Sequence, residues 1–418
     1  MGQGGRLYKI TMKKLKLAII GSGRMAWIVG KNAQEMNVET HCFSNVEPDY
    51  IHETIDVFHN ISIFEKDEIV SICREKGING VIATTELTIA IAAYIARELN
   101  TPGLSYDISQ VITNKYRNRN ACKNLKLLRQ PKYAEIRSVD ELEGCLIDYP
   151  IIVKPTSNGG KQGITVVKNK NELLNAFSFA KGKSGSNPVI IEEFLEGGKE
   201  YSVESISYRG KHYVVQVTEK ISSGPPHCVE LGHRQPADLT RQTRLLVERA
   251  IIEGLNAIGI DNTTCHTEIK IIEGKVYLIE FNARPGGDHI AWPLTTLSTG
   301  YEYIKGAIKV ALGTFEDIDT NSFKEHFAGV YFVTKQTAFL KPLFDICEQF
   351  DWLYHKNDVS NDLQLLEHND CYGTNSIMYY SEKENPNIEV ILDSLQTLAG
   401  GGKSLVIRLL DQTLLYAA

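Results

Sequence analysis

The sequence predicts an α/β domain with an open parallel sheet, followed by a region of α+β character. From residue 14 to about residue 107, short apolar segments alternate with helical segments, a pattern typical of parallel sheets. Beyond residue 108, apolar segments are joined by short glycine-containing turns, as in antiparallel pairs. One of these pairs carries several acidic residues at strand spacing, which predicts a functional face as well as a fold.

The parallel part is predicted to contain three strands and three helices. Each strand is a short apolar run that a turn separates from the next helical segment. The strands are Lys16–Ile20, Glu39–Phe43 and Gly80–Thr84, and the helices are Arg24–Met36, Glu65–Lys76 and Thr88–Leu99. Residues 1–13 are glycine-rich and lack a long apolar run, so we expect a disordered lead.

The second part is predicted to mix helices with antiparallel strands. A helix over Ile108–Cys122 leads into it. The later elements are strands Ile151–Lys154, Gly163–Val167, Val189–Phe194 and Tyr201–Tyr208, helices Leu239–Ile258 and Tyr301–Leu312, and a hairpin over His266–Asn282. After residue 314, short strands and helices continue without a recognisable chemical motif.

Composition excludes some classes of protein. A net charge of −6 argues against general binding to nucleic acid or to an acidic membrane, since both need an excess of Lys and Arg. No apolar run reaches the roughly 18 residues of a membrane span. The eight cysteines lie scattered in apolar segments without C-x-x-C pairs, so we expect reduced core thiols in a cytoplasmic protein.

Two glycine-rich segments are candidate phosphate sites. Gly21-Ser-Gly23 follows a strand and opens a helix, but the second strand ends without the acidic residue that NAD binding needs, so a tight βα turn stays the alternative. The segment Lys154 to Gly163 places a lysine before a flexible neutral loop whose N–H groups can approach phosphate oxygens. A plain hairpin turn is the alternative there.

The hairpin provides the most specific pattern. With a three-residue turn Glu273-Gly274-Lys275, Ile272 faces Val276 and Glu268 faces Glu280. Strand alternation then divides the residues between two faces. The apolar face carries Ile269, Ile271, Tyr277, Ile279 and Phe281, and the polar face carries His266, Glu268, Lys270, Glu280, Asn282 and Arg284.

Two facing carboxylates repel each other unless a positive charge lies between them. Carboxylate and amide oxygens are ligands that suit Mg²⁺, which also takes substrate phosphates. The polar face therefore predicts a metal and phosphate site. A solvent-exposed face, on which Lys270 and Arg284 neutralise the acids, is the alternative.

At this point the sequence resembles the ATP-grasp superfamily, and within it the bacterial L-amino-acid ligases, which are dipeptide synthetases. The resemblance covers about residues 14 to 313. Its most specific parts are Glu192-Glu193-Phe194-Leu195-Glu196-Gly197 with Glu200, then Val229 to His233, then the run Asn282-Ala-Arg284-Pro-Gly-Gly-Asp288. It implies a Rossmann-like pre-ATP-grasp domain (14–107), a two-lobed ATP-grasp core (108–314, small lobe about 125–192) and a C-terminal α+β domain (315–418).

The resemblance also implies roles for individual residues. The catalytic residues would be Arg284 and His233. The metal ligands would be Glu268, Glu280 and Asn282. They would hold two Mg²⁺ ions, for which Mn²⁺ can substitute. ATP would contact Lys115, Lys154, Ser157, Gly159, Gly160, Gly163, Glu192, Glu193, Phe194, Leu195 and Glu200. A purely structural role stays open as the alternative for three of these residues: Lys115 as a solvated helix charge, Glu200 as a surface acid and His233 as a core histidine.

Two acidic residues are candidate substrate contacts. Glu86 follows a parallel strand at the edge where open α/β sheets bind ligands, although it also suits a helix N-terminus. Asp288, four residues beyond Arg284, would pair with a cationic group, and this suggests a basic activated amino acid such as arginine.

The implied activity is ATP-dependent ligation of two amino acids through an acyl phosphate, giving a dipeptide, ADP and phosphate. We expect small-molecule substrates, no nucleic-acid or membrane partner, and a homodimer. Two alternatives stay open. One is a different ATP-grasp activity, either resembling biotin carboxylase or loading an amino acid onto a carrier protein. The other is a non-catalytic nucleotide-binding protein.

Overall fold

A computed structural model describes residues 14–157, 163–224, 228–386 and 388–399. The predicted lead (1–13) and the loop glycines Gly159 and Gly160 lie outside the described residues. Within the described part, no helix is both long enough and apolar enough to cross a membrane. All eight cysteines are free thiols, and six of them are buried.

The described chain forms eleven α-helices and seventeen strands. The helices are α1 Arg24–Glu35, α2 Lys66–Lys76, α3 Ile89–Leu99, α4 Tyr106–Ile112, α5 Lys115–Ala121, α6 Lys170–Ser184, α7 Arg241–Ile258, α8 Thr295–Thr299, α9 Tyr303–Ala311, α10 Lys341–Ile346 and α11 Ile388–Ala399. The strands are β1 Lys16–Ile20, β2 Glu39–Ser44, β3 Val57–Asn60, β4 Gly80–Ala83, β5 Leu128–Arg129, β6 Tyr133–Ile136, β7 Ile151–Pro155, β8 Thr165–Val167, β9 Val189–Glu193, β10 Lys199–Tyr208, β11 Lys211–Ser222, β12 Glu230–Gln235, β13 Thr263–Ile272, β14 Lys275–Asn282, β15 Phe327–Phe332, β16 Leu353–Asn357 and β17 Ser376–Ser381.

The N-terminal sheet is fully parallel, with strand order β3-β2-β1-β4. This confirms the predicted parallel α/β part. The sequence analysis missed β3, which is a half-buried edge strand of four residues without a long apolar run. Helix α3 packs against this sheet through alanines and isoleucines that are at most 6% exposed.

The central sheet has nine strands in the order β16-β17-β15-β12-β11-β10-β13-β14-β5. The predicted hairpin, β13 and β14, lies within it beside β10. Strand β15 pairs with β12, and β17 and β16 follow, so the described strands after residue 314 extend this same sheet. We propose that residues 315–418 form a C-terminal domain whose described strands belong to the central sheet.

A third sheet has the order β6-β9-β7-β8 and carries α6 on one face. It places Lys154 on β7 and Glu192 on β9 as register neighbours, because Ile152 pairs with Glu192 and Lys154 pairs with Ile190. Its strands run from residue 133 to residue 193, close to the range suggested for a small lobe. We propose that it is the lobe that covers the nucleotide.

The helix predicted over Ile108–Cys122 is two helices, α4 and α5. Helix α4 ends with Thr113 as its C-cap, and Asn114 caps α5, since its side chain accepts a hydrogen bond from the Arg117 N–H. The Lys115 N–H donates to the carbonyl of Thr156 at 2.8 Å, which links α5 to the end of β7. The break therefore brings Lys115 next to the loop that follows Lys154.

Candidate active site

The hairpin reaches the predicted register by a different route. Its turn has two residues, Glu273 and Gly274, both at positive φ (50° and 72°), as in the turns that suit a twisted hairpin. Ile272 therefore pairs with Lys275. The three-residue turn that the sequence analysis expected would have paired Ile272 with Val276. A bulge beyond Ile269 then adds one residue to β14, so that Glu268 faces Glu280 as predicted.

The bulge also changes which side chains lie in the core. Val276 (1% exposed) and Leu278 (fully buried) replace Tyr277 and Ile279, which are only half-buried. The prediction of Tyr277 and Ile279 as core residues was therefore wrong. One added residue inverts the alternation on one side of the bulge, and the sequence pattern contains no sign of it.

The two facing carboxylates each have a lysine partner. Lys115 Nζ lies 3.0 Å from a Glu280 oxygen, and Lys220 Nζ lies 2.8 Å from a Glu268 oxygen. Burial opposes the charge of both lysines, but the nearby carboxylates outweigh it and raise the pKa of each lysine. Both lysines are therefore positively charged at neutral pH, which offsets the repulsion between the acids.

The residues on this face fit a hard divalent cation. The side chains of Glu268 and Glu280 are 22% and 21% exposed to solvent. Asn282, next on the same face, is 4% exposed. Two carboxylates and an amide oxygen, open to solvent on one side, match Mg²⁺, which keeps water or phosphate ligands. Glu268, Glu280 and Asn282 are therefore the residues that would hold it.

A buried ion-pair triad connects the small sheet to the hairpin. Glu192 accepts from Lys154 Nζ at 2.7 Å and from Arg119 Nε at 2.6 Å. Arg119 also donates to the carbonyls of Leu278 and Ile279, both at 2.9 Å, at the bulge of β14. The carboxylate of Glu192 thus positions Lys154. Because both of its oxygens are occupied, Glu192 can contact adenine only through its backbone.

Glu192 should make the stability of the protein depend on pH. Burial raises its pKa, but Arg119 and Lys154 outweigh burial and lower it to about 2, from 4.5 in the unfolded chain. The stabilisation is therefore present above pH 4.5 and is lost as the pH falls towards 2. We expect the difference in unfolding free energy between wild type and Glu192→Gln to shrink across that window.

Urea unfolding at several pH values measures this difference. The exposed Glu143, in the same small lobe, supplies the control variant Glu143→Gln, whose difference from wild type should stay small throughout. A wild-type advantage over Glu192→Gln that does not change with pH would contradict the assignment.

The other predicted nucleotide residues lie around this triad. Ser157 is exposed at the start of the loop, and Gly163 at its end has a φ of 74° and lies against Pro155. Glu193 is half-buried and accepts from the Lys132 N–H at 3.1 Å. Lys270 Nζ donates to the Leu195 carbonyl at 2.6 Å and lies 5.8 Å from the Phe194 ring. Glu200 is half-buried on β10, with Lys220 and Lys270 as its register partners.

Arg284 and Glu86 form a pair that joins two sheets. Arg284 Nη2 lies 3.1 Å from a Glu86 oxygen, and Nη1 donates to the Pro285 carbonyl at 2.9 Å. Glu86 follows β4, at the carboxyl edge of the parallel sheet. Arg284 is 14% exposed, so its guanidinium can turn towards a ligand at this junction.

Two buried residues, His233 and Glu230, form a cluster with the half-buried Asp288. Their ligand atoms all lie within 4.8 Å of one another, and His233 Nε2 is 3.2 Å from a Glu230 oxygen. Burial lowers the pKa of His233 to about 3, so its ring is neutral at physiological pH. Burial and the charge of Glu230 raise the pKa of Asp288 to about 6. The cluster has an excess of negative charge, which favours a cation.

A second buried pair supports the hairpin. His266 Nδ1 contacts Glu204, and its Nε2 lies 3.5 Å from Glu268. Burial opposes the charge on His266, but Glu204 outweighs it and raises the pKa of His266 to about 9. The Gly286 N–H donates to Glu204 at 3.0 Å, and a side chain on Gly286 would come within 2.7 Å of the same carboxylate. The close approach therefore requires glycine.

Comparison with known proteins identifies the family. Residues 147–292, which include β7, the triad and the whole hairpin, match the ATP-grasp domain. Residues 147–292 form an ATP-grasp domain. Around this domain, a small four-stranded sheet lies beside a nine-stranded central sheet, and the solved structures below share this fold.

Curated relatives of the chain include an alanine–anticapsin ligase from Bacillus subtilis, 25% identical over 53% of this chain and 51% of the relative. A carbamoyl phosphate synthase large chain from Pseudothermotoga lettingae is 24% identical over 73% of this chain and 29% of the relative. The chain thus spans about half or less of the length of these curated relatives.

Solved structures with the same fold include an L-amino acid ligase from Bacillus licheniformis, with a TM-score of 0.75, 21% identity, and coverage of 93% of this chain and 98% of that one. A biotin carboxylase domain from Hydrogenobacter thermophilus, solved with MgADP and bicarbonate, has a TM-score of 0.69 and 16% identity, covering 88% and 86% of the two chains. At these identities the likeness establishes the fold.

Sequence reasoning missed several residues of the site. Arg119 lies four residues after Lys115, on the same face of α5, and this spacing was a usable signal. Lys220 and Glu204 lie on strands whose register only the folded sheet shows. Glu230 was quoted within the motif that ends at His233 but received no role, because nothing in the sequence indicates its contact with Lys220 at 2.8 Å.

Proposed function

We propose that this ATP-grasp protein is an ATP- and Mg²⁺-dependent carboxylate–amine ligase that joins two amino acids into a dipeptide. The supporting observation is the face of the hairpin, where Glu268 directly opposes Glu280 and each carboxylate is held by a lysine, the buried Lys220 or the half-buried Lys115. The relatives support the same class, since an alanine–anticapsin ligase and an L-amino acid ligase are among them.

The chemistry needs a better leaving group than oxide on the first carboxylate. Transfer of the γ-phosphoryl group of ATP to that carboxylate makes an acyl phosphate, which the amine of the second amino acid then attacks with release of phosphate. Bound Mg²⁺, one ion or two, with Mn²⁺ as a substitute, would neutralise charge on the phosphates.

The side chains of the protein have distinct tasks in this proposal. Lys154 and Lys115 bind the phosphates, and Glu192 keeps Lys154 in place. Arg284 stabilises negative charge that develops on the transferring phosphoryl group, while Glu86 orients its guanidinium. His233 belongs to the acidic cluster, and burial lowers the pKa of its ring to about 3, so it is a weak base at neutral pH.

The experiment measures ADP release with Mg²⁺ and ATP against the twenty amino acids, singly and in pairs, with product masses recorded. We expect stimulation by particular pairs and a product equal in mass to the pair minus water. Stimulation by bicarbonate, or by no pair at all, would overturn the assignment as a dipeptide ligase.

The acidic cluster suggests a basic activated amino acid. Glu230 contacts Lys220 at 2.8 Å, and Asp288 adds a second carboxylate to the cluster, so the cluster can accept a further cation such as a guanidinium. We expect Asp288→Asn to lower kcat/KM for arginine relative to alanine by roughly 10- to 100-fold, since a charged contact is lost.

The matched control for this change is Glu316→Gln, an exposed acid away from the cluster, which should leave the ratio unchanged. An unaltered substrate profile in Asp288→Asn would remove the proposed preference for a basic amino acid. It would leave the ligase reaction itself untouched.

A carboxylase-like activity is the second candidate. It rests on the carbamoyl phosphate synthase relatives and on the biotin carboxylase domain with the same fold. Bicarbonate-dependent ADP release in the same assay would favour it over the dipeptide ligase.

A further inference from the structure

Arg24 is a cation that the site described so far does not use. It begins α1, directly after the glycine-containing turn that follows β1. Its guanidinium carbon lies 4.7 Å from the ring centre of Tyr50, 5.5 Å from that of Trp27 and 5.7 Å from that of Tyr372. Three aromatic rings therefore hold a half-buried arginine in one place.

This arginine differs from the other cations of the site. Lys154 is paired with Glu192, and Arg284 is paired with Glu86. In the described part of the chain, no carboxylate lies within 4.0 Å of the Arg24 guanidinium, whose recorded contacts are the three rings. Contacts with aromatic rings do not use the hydrogen-bonding capacity of the guanidinium N–H groups, which can therefore bind a planar anion.

The parallel sheet places Arg24 on the same edge as the active site. Strands β1 and β4 are parallel neighbours, with Ile20 opposite Ala83. Their carboxyl ends lead to Arg24 and to Glu86, and Glu86 touches Arg284. Arg24 thus lies at the edge where open α/β sheets bind ligands.

Tyr372 connects Arg24 with the acidic cluster. The ring of Tyr372, which Arg24 overlies, is 4.6 Å from the ring of His289. Asp288 and His289 both have positive φ, 53° and 69°, so this short segment is held in a conformation that costs energy. Strained backbone of this kind is concentrated at ligand sites, and here it lies between the cluster and Arg24.

We infer that Arg24 binds the α-carboxylate of the second amino acid, the one that supplies the attacking amine. This rests on the proposed ligase function. Dipeptide formation consumes the carboxylate of the first amino acid and leaves that of the second free and anionic. The cluster of Asp288 and Glu230 repels an anion, whereas Arg24 is a rigid cation with no acidic partner among the described residues.

The test uses the pair of amino acids that the wild-type enzyme joins, and also the primary amide of the second one. The amide keeps the attacking amine but lacks the negative charge. The variant Arg24→Met keeps an apolar side chain against the rings and removes the charge. We expect its KM for the second amino acid to rise roughly 10- to 100-fold, with kcat changed less than about threefold.

The comparison of acid with amide isolates the carboxylate contact. In the wild type, the amide should have the higher KM by a similar factor, and in Arg24→Met the acid and the amide should have equal KM values. KM for the first amino acid and for ATP should not change. A purely structural role for Arg24 would alter all substrates together and would keep the wild-type ratio of acid to amide, which would overturn the inference.

Arg97→Met is the matched control, since Arg97 also lies over two tyrosine rings, 5.0 Å from that of Tyr94 and 4.6 Å from that of Tyr106. It should retain wild-type KM values. If the wild type forms no dipeptide from any pair, the proposed function fails, and this inference fails with it. If the wild type forms a dipeptide and Arg24→Met prefers the acid over the amide as before, only the assignment of Arg24 fails.

Discussion

Glu280→Gln should lower the rate of ATP-dependent ligation by roughly 10²- to 10⁴-fold, because it removes a proposed metal-binding carboxylate from the centre of the site. Glu280 faces Glu268 across the hairpin and contacts Lys115 at 3.0 Å. The amide keeps the shape of the side chain but lacks its charge. Binding of Mg²⁺ together with ATP should weaken, and the activity should need more Mg²⁺.

Two measurements check this expectation. One is the initial rate of ADP release as Mg²⁺ is varied, and the other is the rise in unfolding temperature on adding Mg²⁺ and ATP. Glu273→Gln is the matched control, because Glu273 lies at the turn of the same hairpin with its side chain 81% exposed. If Glu280→Gln kept the wild-type rate and Mg²⁺ dependence, the hairpin face would not be the metal site.

Arg119→Met should cost about 3–5 kcal/mol of folding stability, because it leaves buried charged and polar groups without their partner. The Arg119 side chain is 4% exposed, and it binds Glu192 and the carbonyls of Leu278 and Ile279. Loss of this side chain leaves the Glu192 carboxylate with Lys154 alone. It also removes the link between the small sheet and the bulge of β14.

Urea unfolding followed by circular dichroism measures the change. Arg137→Met serves as the control, since Arg137 pairs with Glu135 at 2.7 Å but is 71% exposed, and exposed pairs contribute at most about 1 kcal/mol. Equal unfolding midpoints for Arg119→Met and Arg137→Met would show that the buried triad does not stabilise the lobe.

The sequence predicted which hairpin carries the site, but it predicted few of the contacts between side chains within the site. The sequence correctly predicted that Glu268 faces Glu280, but it assumed a three-residue turn. The turn has two residues, and a bulge in β14 restores the predicted pairing. Lys220 and Glu204 were missed because their partners Glu268 and His266 lie 48 and 62 residues away. The spacing of Arg119 from Lys115 placed it on the right face of α5, but its partner Glu192 lies 73 residues away. Such contacts arise from sheet order, which residue spacing does not encode.

The sequence by itself determined the parallel α/β part, the hairpin with its acidic face and the family resemblance, because local periodicity and motif spacing are properties of neighbouring residues. Only the tertiary structure decided that the strands after residue 314 join the central sheet, that Glu192 is held between Arg119 and Lys154, and that Arg24 lies under Tyr372. These features depend on which distant segments pack together, and burial fixes that only once the whole chain has folded.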